Sequence, residues 1–282
     1  MIYQNSREWL DANHKRVLIF GMSGLGKTFL SNILRSSGNW FHYSIDYRIG
    51  TNYLNSAISA DLKKEAMRSP YLRQLLKTDS MYIGPKFTMN NLVSLSMYLG
   101  KPGDIKKGGV NFIEYMKRQE QHRKAEISSM LDTSYFIKRS LDLYDYPHFI
   151  CDSSGSMCEV VNPNDPDDSI LTTLSKSLLL VWIEGCEYHQ KELISRFEKS
   201  PKPMYYQPAF LKSKWLEFIE ISEKDEKDID PDEFVRWVYS KALSHRQPRY
   251  LDMAKWGVSV EADKISAVKN TEDFETLIAD AI

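Results

Sequence analysis

Residues 16–28 join an apolar segment to a glycine-rich loop, and this junction constrains the fold more than any other part of the chain. The segment RVLIF (16–20) is a continuous apolar run after its first residue, which is typical of a strand that a parallel sheet buries on both faces. The loop GMSGLGKT (21–28) follows it and matches G-x-x-x-x-G-K-[ST] at every defined position. The next residues, 28–34, have the pattern of a helix. The sequence therefore predicts a strand, a tight turn and a helix in succession.

The residue types of this loop predict a nucleotide site. Glycines let the backbone curl so that several N–H groups point inward, and these dipoles form an anion cradle with the N-terminus of the following helix. In such a loop the lysine, here Lys27, reaches the β- and γ-phosphates, and the hydroxyl of Thr28 binds Mg²⁺. We therefore predict ATP and Mg²⁺ as ligands. The predicted nucleotide-binding residues of the loop are Gly21, Ser23, Gly24, Leu25, Gly26, Lys27 and Thr28.

Four further apolar segments are strand candidates, and helix-like stretches separate them, as in folds that alternate the two elements. These segments are WFHYSI (40–45), PHFIC (147–151), LLLVWI (178–183) and WGVSV (256–260). The chain has 282 residues and is 42% hydrophobic, which is enough to build a sizeable core. We predict an α/β fold of the P-loop NTPase type, with a doubly wound, mostly parallel five-stranded sheet and a helical insertion.

One interval interrupts this alternation. Between the second and third strand candidates there is no clear strand, only helix-like stretches at 56–68 and 112–131. We interpret residues 51–146 as a helical insertion that forms an acceptor-binding cap. The predicted nucleotide-binding core is then residues 1–50 and 147–282.

A second region, roughly 198–233, also lacks a regular pattern. It holds three prolines, Pro201, Pro203 and Pro208, and then the acidic run EFIEISEKDEKDIDPDE (217–233). We predict irregular structure for the region, and a solvated face or loop for the acidic run.

The charge balance limits the partners that the sequence favours. Lys and Arg total 37 and Asp and Glu total 38, so the chain has no global positive field for nucleic acid. Within 101–126, however, seven basic residues stand against four acidic ones, which leaves a nucleotide-like or polynucleotide acceptor as an alternative to a small molecule. The longest apolar runs are strand-sized, so we expect no membrane segment.

The cysteines and the N-terminus predict a cytoplasmic protein. Cys151, Cys158 and Cys186 are odd in number, form no C-x-x-C pair and have no flanking histidine at metal-ligand spacing. We therefore expect neither a disulfide framework nor a structural zinc site, which fits a reducing cytosol. The first residues contain no apolar core after a basic start, unlike a signal peptide.

Two aspartates follow strand candidates and fall where ligands bind in open α/β sheets. FICD (149–152) ends in Asp152, which we predict to reach the metal; the alternative is a cap on the next helix. Gly155 in the small-residue turn after it can bring a backbone N–H to the γ-phosphate. Asp46 is the candidate base for an acceptor hydroxyl, and Arg48 the candidate ligand of an anionic acceptor. The alternative for this pair is a turn-forming aspartate and a surface arginine.

Three arginines in the second half of the chain are further candidates. Arg196 is predicted to be a lid residue that stabilises charge on the phosphoryl oxygens, with an ordinary helix-surface arginine as the equal alternative. Arg246 and Arg249 precede the last strand candidate. Either they bind substrate or they tie down the C-terminal part of the chain.

Taken in order, these motifs resemble the P-loop small-molecule kinases, notably the shikimate and gluconate kinase branch. The motifs are the loop 21–28, Asp46, the turn after strand three, Arg196 and the closing R-x-P-x-Y-x-x-x-A that begins at Arg246. The Asp-x-Arg after strand two is similar to that of zeta-toxin-type kinases, and the whole chain is similar to bacterial predicted ATPases. The resemblance implies transfer of a phosphoryl group from ATP–Mg²⁺ to a hydroxyl. The serines before Gly155 and an arginine-poor lid disfavour a shikimate-type acceptor.

Three functions are consistent with these motifs. The first is a kinase that phosphorylates a hydroxyl held under the insertion. The second is an ATPase switch or assembly factor in which the nucleotide state changes the insertion, and the third is a nucleic-acid-modifying kinase that uses the basic helix around Lys117 to Lys124. The sequence favours the first, because a switch does not need the acceptor-side residues Asp46 and Arg48.

Overall fold

The computed structural model describes all of residues 1–282 and contains a five-stranded parallel sheet. Every one of the five predicted strands is present, and all neighbouring pairs are parallel. The strands are β1 Arg16–Phe20, β2 Trp40–Ser44, β3 His148–Asp152, β4 Leu179–Glu184 and β5 Val258–Glu261. The prediction of an α/β fold with a parallel sheet is therefore confirmed.

The strand order β2-β3-β1-β4-β5 places β1 in the middle of the sheet. The connection after β1 leads to β2, on one side of β1 in the sheet, and the connection after β4 leads to β5, on the other side of β1. In open α/β sheets ligands bind beyond the carboxyl ends of the strands where neighbouring connections diverge in this way. The loop 21–28 follows β1 directly and so lies at that point.

Burial explains why the central strands have no alternating pattern. Residues 17–20 of β1 and 179–181 of β4 are fully buried. Helices cover the sheet, so side chains pointing to either face leave water, and a continuous apolar run is the sequence that suits such a strand. Only β5, an edge strand, alternates between buried and exposed residues.

The chain forms fourteen α-helices. They are α1 Ser6–Leu10, α2 Lys27–Ser36, α3 Ile45–Arg48, α4 Asn55–Ala66, α5 Pro70–Lys77, α6 Val93–Leu99, α7 Phe112–Leu131, α8 Thr133–Asp142, α9 Ser169–Ser175, α10 Glu187–Lys199, α11 Pro208–Ser222, α12 Pro231–Ala254, α13 Ala262–Ala267 and α14 Thr271–Ala279. No named strand lies between β2 and β3, as the sequence predicts. No helix has both the length and the apolar composition that a membrane crossing requires.

The chain divides into two compact units. The first, which contains the sheet, comprises residues 1–45, 126–201 and 236–282, and the second comprises residues 46–125 and 202–235. The predicted insertion, 51–146, overlaps the second unit but has different bounds.

Long-range contacts explain why residues 202–235 belong to the second unit. The side chain of Gln119 donates to the carbonyl of Met204 at 2.9 Å and accepts the N–H of Tyr206 at 2.9 Å. The ring of Phe112 stacks on Trp215 with centroids 4.8 Å apart. These contacts join segments that lie far apart in sequence, so a local pattern does not reveal them.

The prediction of irregular structure over 198–233 is wrong for α11. Pro208 occupies the first turn of that helix, where a missing N–H costs nothing, and the side chain of Gln207 accepts the N–H of Phe210 at 2.9 Å. Leu211 and Trp215 are buried on one face, as expected of an amphipathic helix. Within the acidic run 217–233, residues 223–228 are exposed, as predicted, whereas Phe218 and Ile229 are buried.

Candidate functional site

The loop 21–28 has the backbone that its glycines allow. Gly24 and Gly26 have φ angles of +93° and +97°, in the left-handed region that residues with a Cβ rarely adopt. Gly26 is the N-cap of α2, which begins at Lys27 and runs for 10 residues. The loop therefore ends at a helix N-terminus, where unpaired N–H groups and the helix dipole favour an anion.

The ammonium group of Lys27 lies over the loop. Its Nζ donates to the carbonyl of Gly21 at 2.8 Å and to that of Met22 at 3.1 Å, and the residue is 6% exposed. A buried ammonium needs such partners, because desolvation without them is costly. These bonds hold the charge where the loop would surround a phosphate.

The hydroxyl of Thr28 and the carboxylate of Asp152 meet beside the loop. Thr28 Oγ1 donates to Asp152 Oδ2 at 3.0 Å, although the two residues are 124 positions apart in sequence. The register explains this meeting: Asp152 ends β3 and pairs with Ile19 of β1, the strand that leads into the loop. A hydroxyl and a carboxylate oxygen are hard oxygen donors, which suit Mg²⁺ when phosphate oxygens and water complete the shell.

His42 is a further polar side chain near this carboxylate, and the sequence analysis does not identify it. Its Nε2 lies 3.8 Å from Asp152 Oδ2, and the side chain is 2% exposed. Neither ring nitrogen has a hydrogen-bond partner. Because buried polar atoms are normally paired, the unpaired nitrogens of His42 are an exception beside the carboxylate of Asp152.

The turn after β3 approaches the loop closely. A Cβ on Gly155 would collide with Oγ of Ser23 and would lie 3.2 Å from the backbone N of the same residue. Two serines flank this glycine, and both hydroxyls, of Ser154 and Ser156, donate to the carboxylate of Glu126 on α7. Glu126 is fully buried, and its carboxylate holds the two serines in place. The lack of a side chain at Gly155 allows the turn to contact the loop at Ser23.

Substitution Gly155→Ala is expected to weaken nucleotide binding about tenfold, since the clash with the loop costs about 1–3 kcal/mol and tenfold corresponds to ~1.4 kcal/mol. Nucleotide titration with calorimetric detection measures the effect. Gly38→Ala is the matched control, because a Cβ there meets nothing within 4 Å although φ is +81°. We expect the control to lose about 1 kcal/mol of stability and no affinity. Equal affinities for the two variants would show that the Gly155 contact has no role in binding.

The predicted substrate ligands Arg246 and Arg249 lie on α12 and hold the segment that follows the turn. Arg246 Nε donates to Glu159 Oε1 at 2.7 Å, and its Nη1 donates to the carbonyl of Gly155 at 3.1 Å. Arg249 Nε donates to the carbonyl of Cys158 at 2.6 Å. Through these contacts the two arginines hold α12 against the segment that contains Gly155, Cys158 and Glu159. A role of the arginines in substrate binding stays a prediction.

The ion pair between Arg246 and Glu159 is buried, with side chains 3% and 0% exposed. Burial alone would raise the pKa of Glu159, but Arg246 and His245 together outweigh it and lower that pKa. Burial would likewise lower the pKa of Arg246, but the carboxylate of Glu159 raises it. Each charge is therefore stable in the interior because of the other.

The remaining predicted residues occupy the following positions. Asp46 and Arg48 lie in α3, which begins directly after β2, and the guanidinium of Arg48 lies 5.6 Å from the ring centroid of Tyr53. Arg196 is exposed on α10 and pairs with Glu192 at 3.4 Å. Their assignments as base, acceptor ligand and lid residue stay predictions.

The sequence analysis considered histidines near the cysteines only as metal ligands and did not identify a pair that the structure brings together. Cys186 Sγ lies 3.1 Å from Nδ1 of His189, three residues along the chain. The signal was present in the sequence as C-x-x-H at a helix start, where positions three apart face each other. The structure contains no group of three or more His, Cys, Asp or Glu side chains that could hold a metal ion.

Comparison with known proteins adds no assignment. No protein-family model, no curated protein and no solved structure matches the chain.

Proposed function

We propose that the chain is a P-loop phosphotransferase, related to the small-molecule kinases, that transfers the γ-phosphoryl group of ATP to a hydroxyl. The observation that carries the proposal is the hydrogen bond of 3.0 Å between Thr28 and Asp152. It joins the last residue of the motif to the carboxylate at the end of a neighbouring strand, and such a pair binds nucleotide-bound Mg²⁺ in this class of site. A glycine-rich turn without nucleotide chemistry would not require this partner.

The roles of the other residues follow from their chemistry. Lys27 and the loop N–H groups bind the β- and γ-phosphates, and the N–H of Gly155 reaches towards the γ-phosphate. Mg²⁺, when bound with the nucleotide, neutralises phosphate charge. Arg196 leaves its surface partner Glu192 and stabilises charge on the phosphoryl oxygens. Leu193, one turn before it on α10, supports this role, because it packs on Gly24 of the loop.

Asp46 acts as the base in the transfer, and Arg48 binds an anionic part of the acceptor. The proton of the acceptor hydroxyl moves to the carboxylate of Asp46 as the new O–P bond forms and the bond between the γ-phosphorus and ADP breaks. The proposal predicts slow hydrolysis of ATP alone and a large stimulation by the correct acceptor.

Transfer of label from γ-labelled ATP tests the proposal. The purified chain is incubated with Mg²⁺, labelled ATP and a panel of hydroxyl metabolites, nucleosides and oligonucleotides. Label on one compound class supports a kinase and identifies the acceptor. Label that appears only as inorganic phosphate, at a rate no panel member changes, contradicts it.

A second candidate, an ATPase switch, is favoured by one observation. The turn beside the loop is hydrogen-bonded to Glu126, and the helix α7 that carries this residue also supplies residues 112–125 of the second unit. A change in the turn on loss of the γ-phosphate would act directly on this helix. This candidate predicts hydrolysis that depends on a protein partner and yields inorganic phosphate as its product.

A further inference from the structure

Three side chains form a cluster at the carboxyl end of β4. Cys186 is exposed at the N-cap of α10, and its Sγ lies 3.1 Å from Nδ1 of His189. The Nε2 atom of the same imidazole lies 3.3 Å from Oδ1 of Asp263, on α13. We call these three residues the thiol cluster. It combines a nucleophile, a base and a carboxylate in series, built from two different helices.

The hydrogen bonds determine which nitrogen of His189 is the base. The backbone N–H of Cys186 donates to Nδ1 at 3.2 Å, so Nδ1 carries a lone pair and the proton of the neutral ring lies on Nε2. That proton faces the carboxylate of Asp263. When Nδ1 takes the proton of the thiol, it gives up the backbone N–H of Cys186, and the carboxylate of Asp263 stabilises the imidazolium that forms.

We propose that Cys186 is a reactive thiol that exchanges with low-molecular-weight disulfides, and that a group attached to it weakens nucleotide binding at the loop 21–28. In the exchange the thiol proton moves to His189, and the sulfur attacks one sulfur atom of the small disulfide. The S–S bond of that disulfide breaks as the new S–S bond forms, and the leaving thiolate takes up the proton. Cys186 is oxidised while the leaving sulfur is reduced, so no other oxidant is required.

The helices of the thiol cluster also pack against the loop. A Cβ on Gly24 would lie 2.7 Å from Cδ2 of Leu193 on α10, and a Cβ on Gly26 would lie 3.1 Å from Cγ2 of Ile265 on α13. A Cβ on Gly185, the residue before the cysteine, would lie 3.0 Å from Cδ1 of Leu25. Interiors packed this tightly transmit displacement, so a group attached at Cys186 shifts the elements that enclose the loop. This second part of the inference rests on the proposed function.

An aromatic disulfide whose leaving thiolate is coloured measures the reactivity of the thiol directly. The other two cysteines are internal references, because Cys151 and Cys158 are fully buried and burial raises the pKa of the Cys158 thiol to about 12. We expect one equivalent of fast release from the folded chain and two more after unfolding. Cys186→Ser should abolish the fast phase. A folded chain with no fast phase would overturn the proposal.

His189→Gln distinguishes a base from a helix cap. Glutamine at this position of a helix start accepts the same backbone N–H as histidine does, but it cannot take a proton. We expect the fast phase to slow about tenfold. An ordinary cysteine is already ionised to a few per cent at neutral pH, and this fraction limits how much a base can accelerate the exchange. An unchanged rate would show that His189 only caps the helix and would overturn its role as base.

Calorimetric titration with Mg²⁺–ATP tests the link to the loop. We expect about tenfold weaker binding after modification of the wild-type chain, and no change when Cys186→Ser is treated in the same way. By reciprocity, saturating nucleotide should lower the equilibrium constant of the exchange at Cys186 by the same factor. Unchanged affinity of the modified chain would overturn the link. If the unmodified chain binds no nucleotide while its thiol reacts fast, the proposed function fails and the reactive thiol stands.

Discussion

Asp46→Asn is expected to abolish phosphoryl transfer and to leave nucleotide affinity unchanged. The amide has nearly the shape of the carboxylate, but it cannot accept the proton of the acceptor hydroxyl, and the loss of such a base costs about 10²–10⁴ in rate. The turnover number with the acceptor found in the panel, together with nucleotide affinity by calorimetry, measures both effects.

Arg48→Gln is the companion variant to Asp46→Asn. If Arg48 binds an anionic part of the acceptor, this variant should raise the KM for the acceptor more than it lowers kcat, because it removes binding rather than the proton acceptor. Unchanged turnover of Asp46→Asn would remove Asp46 from the chemistry and leave the ATPase switch as the better candidate.

Arg246→Ala is expected to destabilise the chain by about 3–5 kcal/mol, since removal of one partner leaves a buried charge uncompensated. The other partner, Glu159, is fully buried, and the bond from Arg246 to the carbonyl of Gly155 is also lost. Chemical denaturation followed by circular dichroism gives the free energy of unfolding. Arg196→Ala is the matched control: its pair with Glu192 is exposed, so we expect a change below about 0.5 kcal/mol.

Two further measurements test the same ion pair. The double variant Arg246→Leu and Glu159→Leu should recover most of the lost stability, because no charge remains buried. The lowered pKa of Glu159 stabilises the folded state above the ordinary glutamate pKa of about 4.3, and this contribution is lost as the pH falls through the lowered value. A loss below ~1 kcal/mol in Arg246→Ala, with an unchanged acid transition, would contradict the stabilising role of the pair.

The strands were predictable because their signal is local. The segment at β1 is apolar on both faces since both faces are buried, and the loop motif after it has its required order in any fold of this type. The helix α11 was not predicted, because a cluster of prolines is typical of irregular structure, whereas Pro208 lies in the first turn of this helix.

The hydrogen bonds and the ion pair that hold the site in place were not predictable, because each joins residues that are distant in sequence. Glu126 and Ser156 are 30 positions apart, and Glu159 and Arg246 are 87 positions apart. No spacing rule links such pairs, and in the sequence each acidic residue is indistinguishable from a solvated one. For the same reason, the sequence did not predict that residues 202–235 belong to the second unit.

Calorimetric titration of the wild-type chain and of Lys27→Ala with Mg²⁺–ATP measures whether the loop binds a triphosphate. We expect one site per chain in the wild type. In the variant we expect binding about 10–100-fold weaker, because a charged hydrogen bond contributes about 1.5–3 kcal/mol. Lys199→Ala, at the end of α10, is the control and should bind as the wild type does. A folded wild-type chain that gives no binding heat at any temperature tested, or a Lys27→Ala variant with unchanged affinity, would contradict nucleotide binding at residues 21–28.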